Sequence, residues 1–122
     1  MVFTSFVMAG DRWVASSTSG LFTITIEPEG GAYQIGQYHN WLVAVRDKNN
    51  NVIDNAKFSI SGGMIGHGHG LPSQPMATRY LDDGKYLVEG MLFNMAGKWI
   101  LMIDVQTDVL RDQVRFDIEL SF

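Results

Sequence analysis

The sequence predicts an all-β protein, an antiparallel β-sandwich of seven strands. Three observations support this fold class. From Leu21 onward, apolar and polar residues alternate with a period of two, which is typical of half-buried strands. Clusters of glycine, proline, asparagine and aspartate interrupt the alternation at short, regular spacing, as turns do. No segment shows a sustained helical period, so the pattern favours strands throughout.

The first four predicted strands are short, and in the first three aromatic or β-branched residues recur at every second position, which suits a pleated surface with one buried face. These strands are residues 22–26, 38–46, 58–61 and 77–81. A turn-forming cluster ends each of them, in order Pro28 with Gly30 and Gly31, residues 47–51, Gly62 with Gly63, and residues 82–84. Short turns of this kind join antiparallel neighbours.

The last three predicted strands are residues 86–90, 98–106 and 114–122. The final strand has the most regular alternation, with charged residues outward and five apolar residues inward: Val114, Phe116, Ile118, Leu120 and Phe122. Seven short strands separated by turns indicate a sandwich built from one domain. We expect residues 1–17 to form a weakly ordered lead-in and residues 18–122 to form that domain.

Tyr86 refines the fold class. The segment Asp82-Asp83-Gly84-Lys85-Tyr86 has the spacing found where an immunoglobulin-like strand turns a corner and a tyrosine hydroxyl bonds nearby backbone. Val88 then occupies the place of the second cysteine of such domains. The segment therefore predicts an immunoglobulin-like sandwich, although a plain hairpin with a half-buried tyrosine explains it as well.

Composition limits the partners. The 122 residues carry a net charge of −4 and no run of lysine and arginine, so nucleic acid is not an expected partner. The chain has no cysteine, which excludes disulfides and thiolate ligands. Its apolar N-terminal stretch is too short to span a membrane and lacks the basic start of an export signal.

The segment Gly62-Gly63-Met64-Ile65-Gly66-His67-Gly68-His69-Gly70-Leu71-Pro72 holds two of the three histidines. Two imidazoles and a thioether spaced by glycines form a flexible set of soft ligands. Imidazole suits copper, zinc and nickel, whereas thioether favours copper, above all Cu(I). Zinc sites more often include cysteine or a carboxylate. The segment therefore predicts a copper site.

Strand order brings further candidates to this loop. If short turns join antiparallel strands, the loop lies at the same end of the sandwich as the start of the second strand and the turn before residue 98. The predicted metal ligands at this end are His39, Met64, His67, His69 and Met95, and Met76 could join them.

Structural roles explain the same residues. His39 could be a core histidine bonded to a loop carbonyl, and buried polar groups usually have such partners. Methionines within strands usually fill core space. The loop histidines could serve only to hold the glycine-rich loop, and the three tryptophans are expected to be core or rim aromatics.

The chain resembles the YtkA-like and FixH-like domains of bacteria over about residues 21–120. The resemblance is carried by Tyr38-His39-Asn40-Trp41, the histidine segment, Asp83-Gly84-Lys85-Tyr86, and Phe93-Asn94-Met95-Ala96-Gly97-Lys98-Trp99. It implies an extracytoplasmic, periplasmic or membrane-tethered sandwich without catalytic activity. It also implies a role in copper handling, with a copper acceptor or an oxidase-assembly protein as partner.

Three functional classes follow from these observations. The first is an extracytoplasmic module that binds or delivers copper through its histidines and methionines. The second is a metal-free module whose glycine-histidine loop docks a partner protein or ligand. The third, a small metal-dependent enzyme, has little support, because no nucleophile, zincin or phosphate-binding motif is present. The paired Asp82 and Asp83 lie in a turn predicted at the opposite end from the histidines.

Overall fold

The computed structural model describes residues 10–68 and 70–122. In that part of the chain the regular structure consists of antiparallel strands: β1 Trp13–Ser16, β2 Phe22–Pro28, β3 His39–Asp47, β4 Lys57–Met64, β5 Met76–Asp82, β6 Lys85–Met91, β7 Gly97–Gln106 and β8 Arg111–Leu120. No helix long and apolar enough to cross a membrane occurs among these residues.

The strands form two sheets that pack into a sandwich. Among the described residues, one sheet has the strand order β1-β2-β3-β6-β5 and the other the order β4-β7-β8. The inward residues of both sheets make one hydrophobic core, as the alternation predicts. The largest fully buried side chains are Trp41, Trp99, Phe22, Phe93, Ile24, Ile26, Met91, Leu101, Ile103, Leu120, Val43 and Val45. The fold class, an immunoglobulin-like β-sandwich, is confirmed.

The described chain has eight strands rather than the predicted seven. The additional strand, β1, lies within the residues expected to form a lead-in, of which residues 1–9 lie outside the described part. β1 pairs with β2 from Trp13 opposite Ile26 to Ser16 opposite Thr23. The Trp13 ring also stacks on Trp41, with ring centroids 5.5 Å apart. Four residues are too few to show a periodic pattern, so tertiary pairing rather than local sequence defines this strand.

The turn between β5 and β6, at the end opposite the histidine segment, has the backbone conformation that its sequence favours. Asp83 and Gly84 join β5 to β6 with φ of 50° and 76°. Two consecutive positive φ angles are those of a type I′ hairpin turn, which aspartate and glycine favour. Asp83 also pairs with Arg46 of β3 at 3.1 Å.

The last strand differs from the prediction, because β8 ends at Leu120 and Phe122 is exposed.

The Tyr86 hydroxyl bonds main-chain groups, as predicted. These groups lie in the connection between β3 and β4 and not near Tyr86 in the sequence. The hydroxyl donates to the Ile53 carbonyl at 2.7 Å and accepts from the Ala56 N–H at 2.9 Å. Both residues lie between β3 and β4, so the hydroxyl of β6 fastens a connection that crosses from one sheet to the other. Burial raises the pKa of Tyr86, which keeps the phenol protonated and able to donate.

We expect Tyr86→Phe to lower the free energy of unfolding by about 1 kcal/mol, because it leaves the Ile53 carbonyl and the Ala56 N–H without their partner. Urea unfolding followed by circular dichroism measures this change. Tyr38→Phe is the matched control, since Tyr38 is exposed and the change should be close to neutral. Equal effects of the two substitutions would contradict a structural role for the Tyr86 hydroxyl.

Candidate functional site

The histidine segment forms most of the connection between β4 and β5, and its neck is closed by main-chain pairing. Gly63 and Gly70 form an antiparallel bridge, and the Leu71 N–H donates to the Gly62 carbonyl at 2.9 Å. The connections 29–38, 65–75 and 92–96 meet at this end of the sandwich, which we call the histidine pole. The loop therefore projects from a fixed base on the edge of β4.

His67 stands between two glycines whose backbone conformation other residues rarely adopt. Gly66 has φ of 81° and Gly68 has φ of 68°. Left-handed backbone at these positions costs glycine little, and it turns the chain sharply on either side of the histidine. The His67 N–H reaches the Met64 carbonyl at 3.4 Å, and its side chain is exposed. His69 lies outside the described residues.

His39, the first residue of β3, has internal partners for both ring nitrogens. Its Nδ1 lies 3.0 Å from the Gln37 carbonyl, to which it donates. Its Nε2 accepts from the Trp41 indole N–H at 2.9 Å and from the Gln34 N–H at 3.3 Å. Because an indole N–H can only donate, this arrangement requires the neutral Nδ1–H tautomer. The ring has the contacts of a structural histidine.

The two methionines predicted as ligands have different environments. Met64 is 6% exposed, and its terminal methyl group packs against the backbone of Gly97, where a β-carbon would lie 2.7 Å away. Met95 is 40% exposed in the turn between β6 and β7. That turn is held by the Trp99 indole N–H, which donates to the Met95 carbonyl at 3.1 Å. Met95 is therefore accessible to solvent, whereas Met64 is buried.

The fold brings the described members of the predicted set, His39, Met64, His67 and Met95, to one end of the sandwich. His39 touches the aromatic core through Phe93, with ring centroids 6.1 Å apart. Among residues 10–68 and 70–122, no three histidine, aspartate or glutamate side chains are grouped so that they could hold a metal ion. A metal bound by His67 would therefore need thioether ligands or His69 as well. Met76, exposed at the start of β5, lies at the same end.

Two features of the histidine pole were not predicted from the sequence: the hydrogen bonds of two tryptophans and an exposed apolar surface. Trp41 and Trp99 were expected to be core or rim aromatics, and both are buried. Their indole N–H groups also hold His39 and the Met95 carbonyl, roles that alternation cannot show because they depend on side-chain rotamers. The pole also exposes Tyr38 and Ile65, which are 68% and 50% accessible. An aromatic residue just before a strand and an isoleucine between glycines are weak signals of such a surface.

Comparisons with known proteins agree with this fold. The profile of the YtkA-like family matches residues 17–104, from the end of β1 to the last third of β7. Among solved structures, the chain is similar to a DUF4426 family protein from Pseudomonas aeruginosa PAO1. The two are 12% identical with a TM-score of 0.61, and the alignment covers 94% of this chain and 97% of that one. At this identity the likeness concerns the fold alone. No curated protein matches the sequence. Because the family profile matches most of the chain, the protein belongs to the YtkA-like family.

Proposed function

We propose that this chain is an extracytoplasmic, non-catalytic module that binds or delivers copper at the histidine pole. One observation carries the proposal: the loop holds exposed His67 between two left-handed glycines on a neck fastened to β4. This arrangement presents an imidazole to solvent without disturbing the sandwich. His69 follows two residues later in the same loop, and the Met95 turn lies at the same end.

The donor chemistry of the pole fits a soft metal ion. His67, His69 and Met95 supply imidazole and thioether groups, and no residue between Asp54 and Asp82 is acidic. Copper prefers such ligands to the oxygen donors that magnesium or calcium requires. His39 would have to give up its bonds to Trp41 and Gln34 before its Nε2 could bind a metal. Met64 would have to leave its packed position. The proposed site is therefore centred on His67, His69 and Met95.

A second candidate is a metal-free docking module, and the exposed apolar side chains of the pole favour it. Tyr38, Ile65 and Met95 are accessible around the loop. Exposed aromatic and methionine side chains are enriched at protein interfaces. Copper delivery also requires a docking surface for the acceptor, so the two candidates differ in whether the loop histidines bind metal.

The proposal is tested by titrating the protein with Cu(I) buffered by a competing chelator, and separately with Cu(II) and zinc. We expect saturable one-to-one binding of copper and at least about a tenfold loss of affinity in the double variant His67→Ala/His69→Ala, because two ligands are removed. Asn94→Ala is the matched control, since Asn94 is exposed at the same pole but offers no soft ligand. Its affinity should equal that of the unchanged protein.

The pH dependence of copper affinity provides a second readout from the same titration. Imidazole must be neutral to bind a metal, so affinity should fall as the pH drops through the ordinary histidine range near ~6.5. Copper binding that is unchanged in the double variant, or constant between about pH 5 and 8, would contradict histidine ligation. Absence of copper binding would leave the docking module as the function of the pole.

A further inference from the structure

The edge of β4 away from β7 has unused hydrogen-bonding groups. The Gly62 carbonyl accepts from Leu71 on that side, so Gly62 directs its main-chain groups off the sheet. Main-chain groups alternate in direction along an antiparallel strand, and therefore Phe58 and Ile60 direct theirs the same way. Within residues 10–68 and 70–122, the N–H and C=O groups of Phe58 and Ile60 that point off this edge find no partner. Residues 57–61 are thus an open position for one more strand.

The other edges of the described sandwich carry features that hinder strand addition. β1 has four residues, and β5 has two register shifts along its pairing with β6. Both ends of β8 are covered, since Thr18 donates to the Gln113 carbonyl and Ser121 donates to the Tyr33 hydroxyl. The outward side chains of β8 are also mostly charged. Short length, bulges, charge and coverage are the usual protections of sheet edges.

Residues 57–61 of the β4 edge carry fewer of these protections, with Lys57 as their one charged residue. The pairing of β4 with β7 is regular from end to end, without a register shift. Residues 57–61 contain no proline, and their outward side chains are one lysine and two serines. Edge strands that are regular and nearly uncharged readily pair with another strand. Among the edges of the described strands, this one is therefore the best suited to pairing.

The same edge is complementary to itself. If a second copy lies antiparallel with the two-fold axis at Ser59, Phe58 faces Ile60 of the second copy and Ile60 faces its Phe58. These two pairs exchange about four main-chain hydrogen bonds. Lys57 then faces a serine rather than another lysine, so no like charges meet. The pairing ends at Ser61, before the glycines that already pair with the loop.

We propose that two copies of this chain associate through antiparallel pairing of β4 with β4, centred on Ser59. The association joins the two sheets that contain β4 into one continuous sheet. It uses one edge and few bonds, so it is a reversible, concentration-dependent dimer. This surface is separate from the proposed copper ligands, and the proposal does not depend on metal binding.

Single cysteine variants test the register, because the chain has no cysteine of its own. Around this axis the two copies of residue 59 form a non-hydrogen-bonded pair with α-carbons about 4.5 Å apart, within disulfide reach. Residue 61 lies opposite residue 57, so its two copies are about 13 Å apart. We therefore expect Ser59→Cys to form a disulfide dimer under mild oxidation at least about tenfold faster than the control Ser61→Cys.

Charge variants of the same residue test the association without a covalent bond. Ser59→Lys and Ser59→Asp each place like charges opposite each other, so each should be monomeric by sedimentation equilibrium. An equimolar mixture should dimerise again, because the charges are then opposite. A native chain that stays monomeric at its highest soluble concentration would overturn the proposal. The proposal would also be overturned if the two cysteine variants cross-linked equally fast, or if both charge variants still dimerised. Either outcome would indicate that the chain associates through another surface.

Discussion

Gly62→Ala is expected to lower the free energy of unfolding by about 3 kcal/mol or more, because the added β-carbon meets backbone that cannot move independently. It would lie 2.2 Å from the Ile100 carbonyl oxygen and 3.2 Å from a methyl group of Leu101. Contacts between a β-carbon and backbone at such a distance do not occur, so β4 must move away from β7. Urea unfolding compared with the unchanged protein measures the loss.

Ser61→Ala is the control for this prediction. Ser61 precedes Gly62 in β4, and its side chain is exposed on the outer face. Its replacement should change the free energy of unfolding by less than about 0.5 kcal/mol. The Gly62 carbonyl also closes the neck of the histidine loop, so Gly62→Ala should loosen the loop together with the strand. A loss for Gly62→Ala no larger than for Ser61→Ala would show that the two strands separate at little cost.

Asp112→Asn is expected to cost about 2 kcal/mol at neutral pH, because a carboxylate that accepts several main-chain N–H groups becomes an amide. Asp112 is 8% exposed at the start of β8 and accepts from Ser19, Leu21 and Gln113, the last at 2.8 Å. The substitution turns one acceptor oxygen into a donor. It thereby weakens the attachment of the connection between β1 and β2 to β8, which the bonds from Thr18 to the Gln113 carbonyl still hold. Urea unfolding at neutral pH measures the cost.

The effect of Asp112→Asn should depend on pH. Burial raises the pKa of Asp112, but hydrogen bonds from the Ser17 side chain and from the Gln113, Ser19 and Leu21 N–H groups together hold it below the ordinary 3.8. A carboxyl with a lowered folded-state pKa stabilises the protein above its unfolded-state pKa. That stabilisation is lost as the pH falls through the folded-state value. The difference between the two proteins should therefore shrink below about pH 3.8.

Asp117→Asn is the matched substitution for Asp112→Asn. Asp117 lies on the same strand, is exposed and, among the described residues, forms an ion pair with the exposed Arg115 alone. Its replacement should therefore hardly change the free energy of unfolding at any pH. A cost for Asp112→Asn that stays constant as the protein is acidified would contradict the role of the charged carboxylate. It would then point to packing of the side chain instead.

Strand positions and inward faces could be predicted from the sequence because one face of each sheet is buried. In β8, Asp112, Val114, Phe116, Ile118 and Leu120 are buried, and the residues between them are exposed. Alternation of this kind follows directly from the pleat. It continues to Phe122 in the sequence, but pairing with β7 ends at Leu120. Alternation thus predicts the face of a residue better than the end of a strand.

The candidate site was less predictable because its residues differ in ways that sequence does not record. Topology correctly placed His39, Met64 and Met95 at one end. It could not show that His39 accepts from Trp41 and Gln34, since this depends on rotamers and on the path of the preceding connection. It also could not separate buried Met64 from exposed Met95. Short β1 was missed for a related reason, because its pairing with β2 is its main support.

The aromatic contacts of the core have an optical consequence. Trp13 stacks on Trp41, Trp41 meets Phe93 at 5.9 Å, and Phe93 meets Trp99 at 5.1 Å. All three tryptophans of the chain therefore belong to one array of rings close enough for excitation energy to pass between them. Intrinsic fluorescence originates near the indoles that hold His39 and the Met95 turn. The protein thus contains a label-free emission probe of this end of the sandwich.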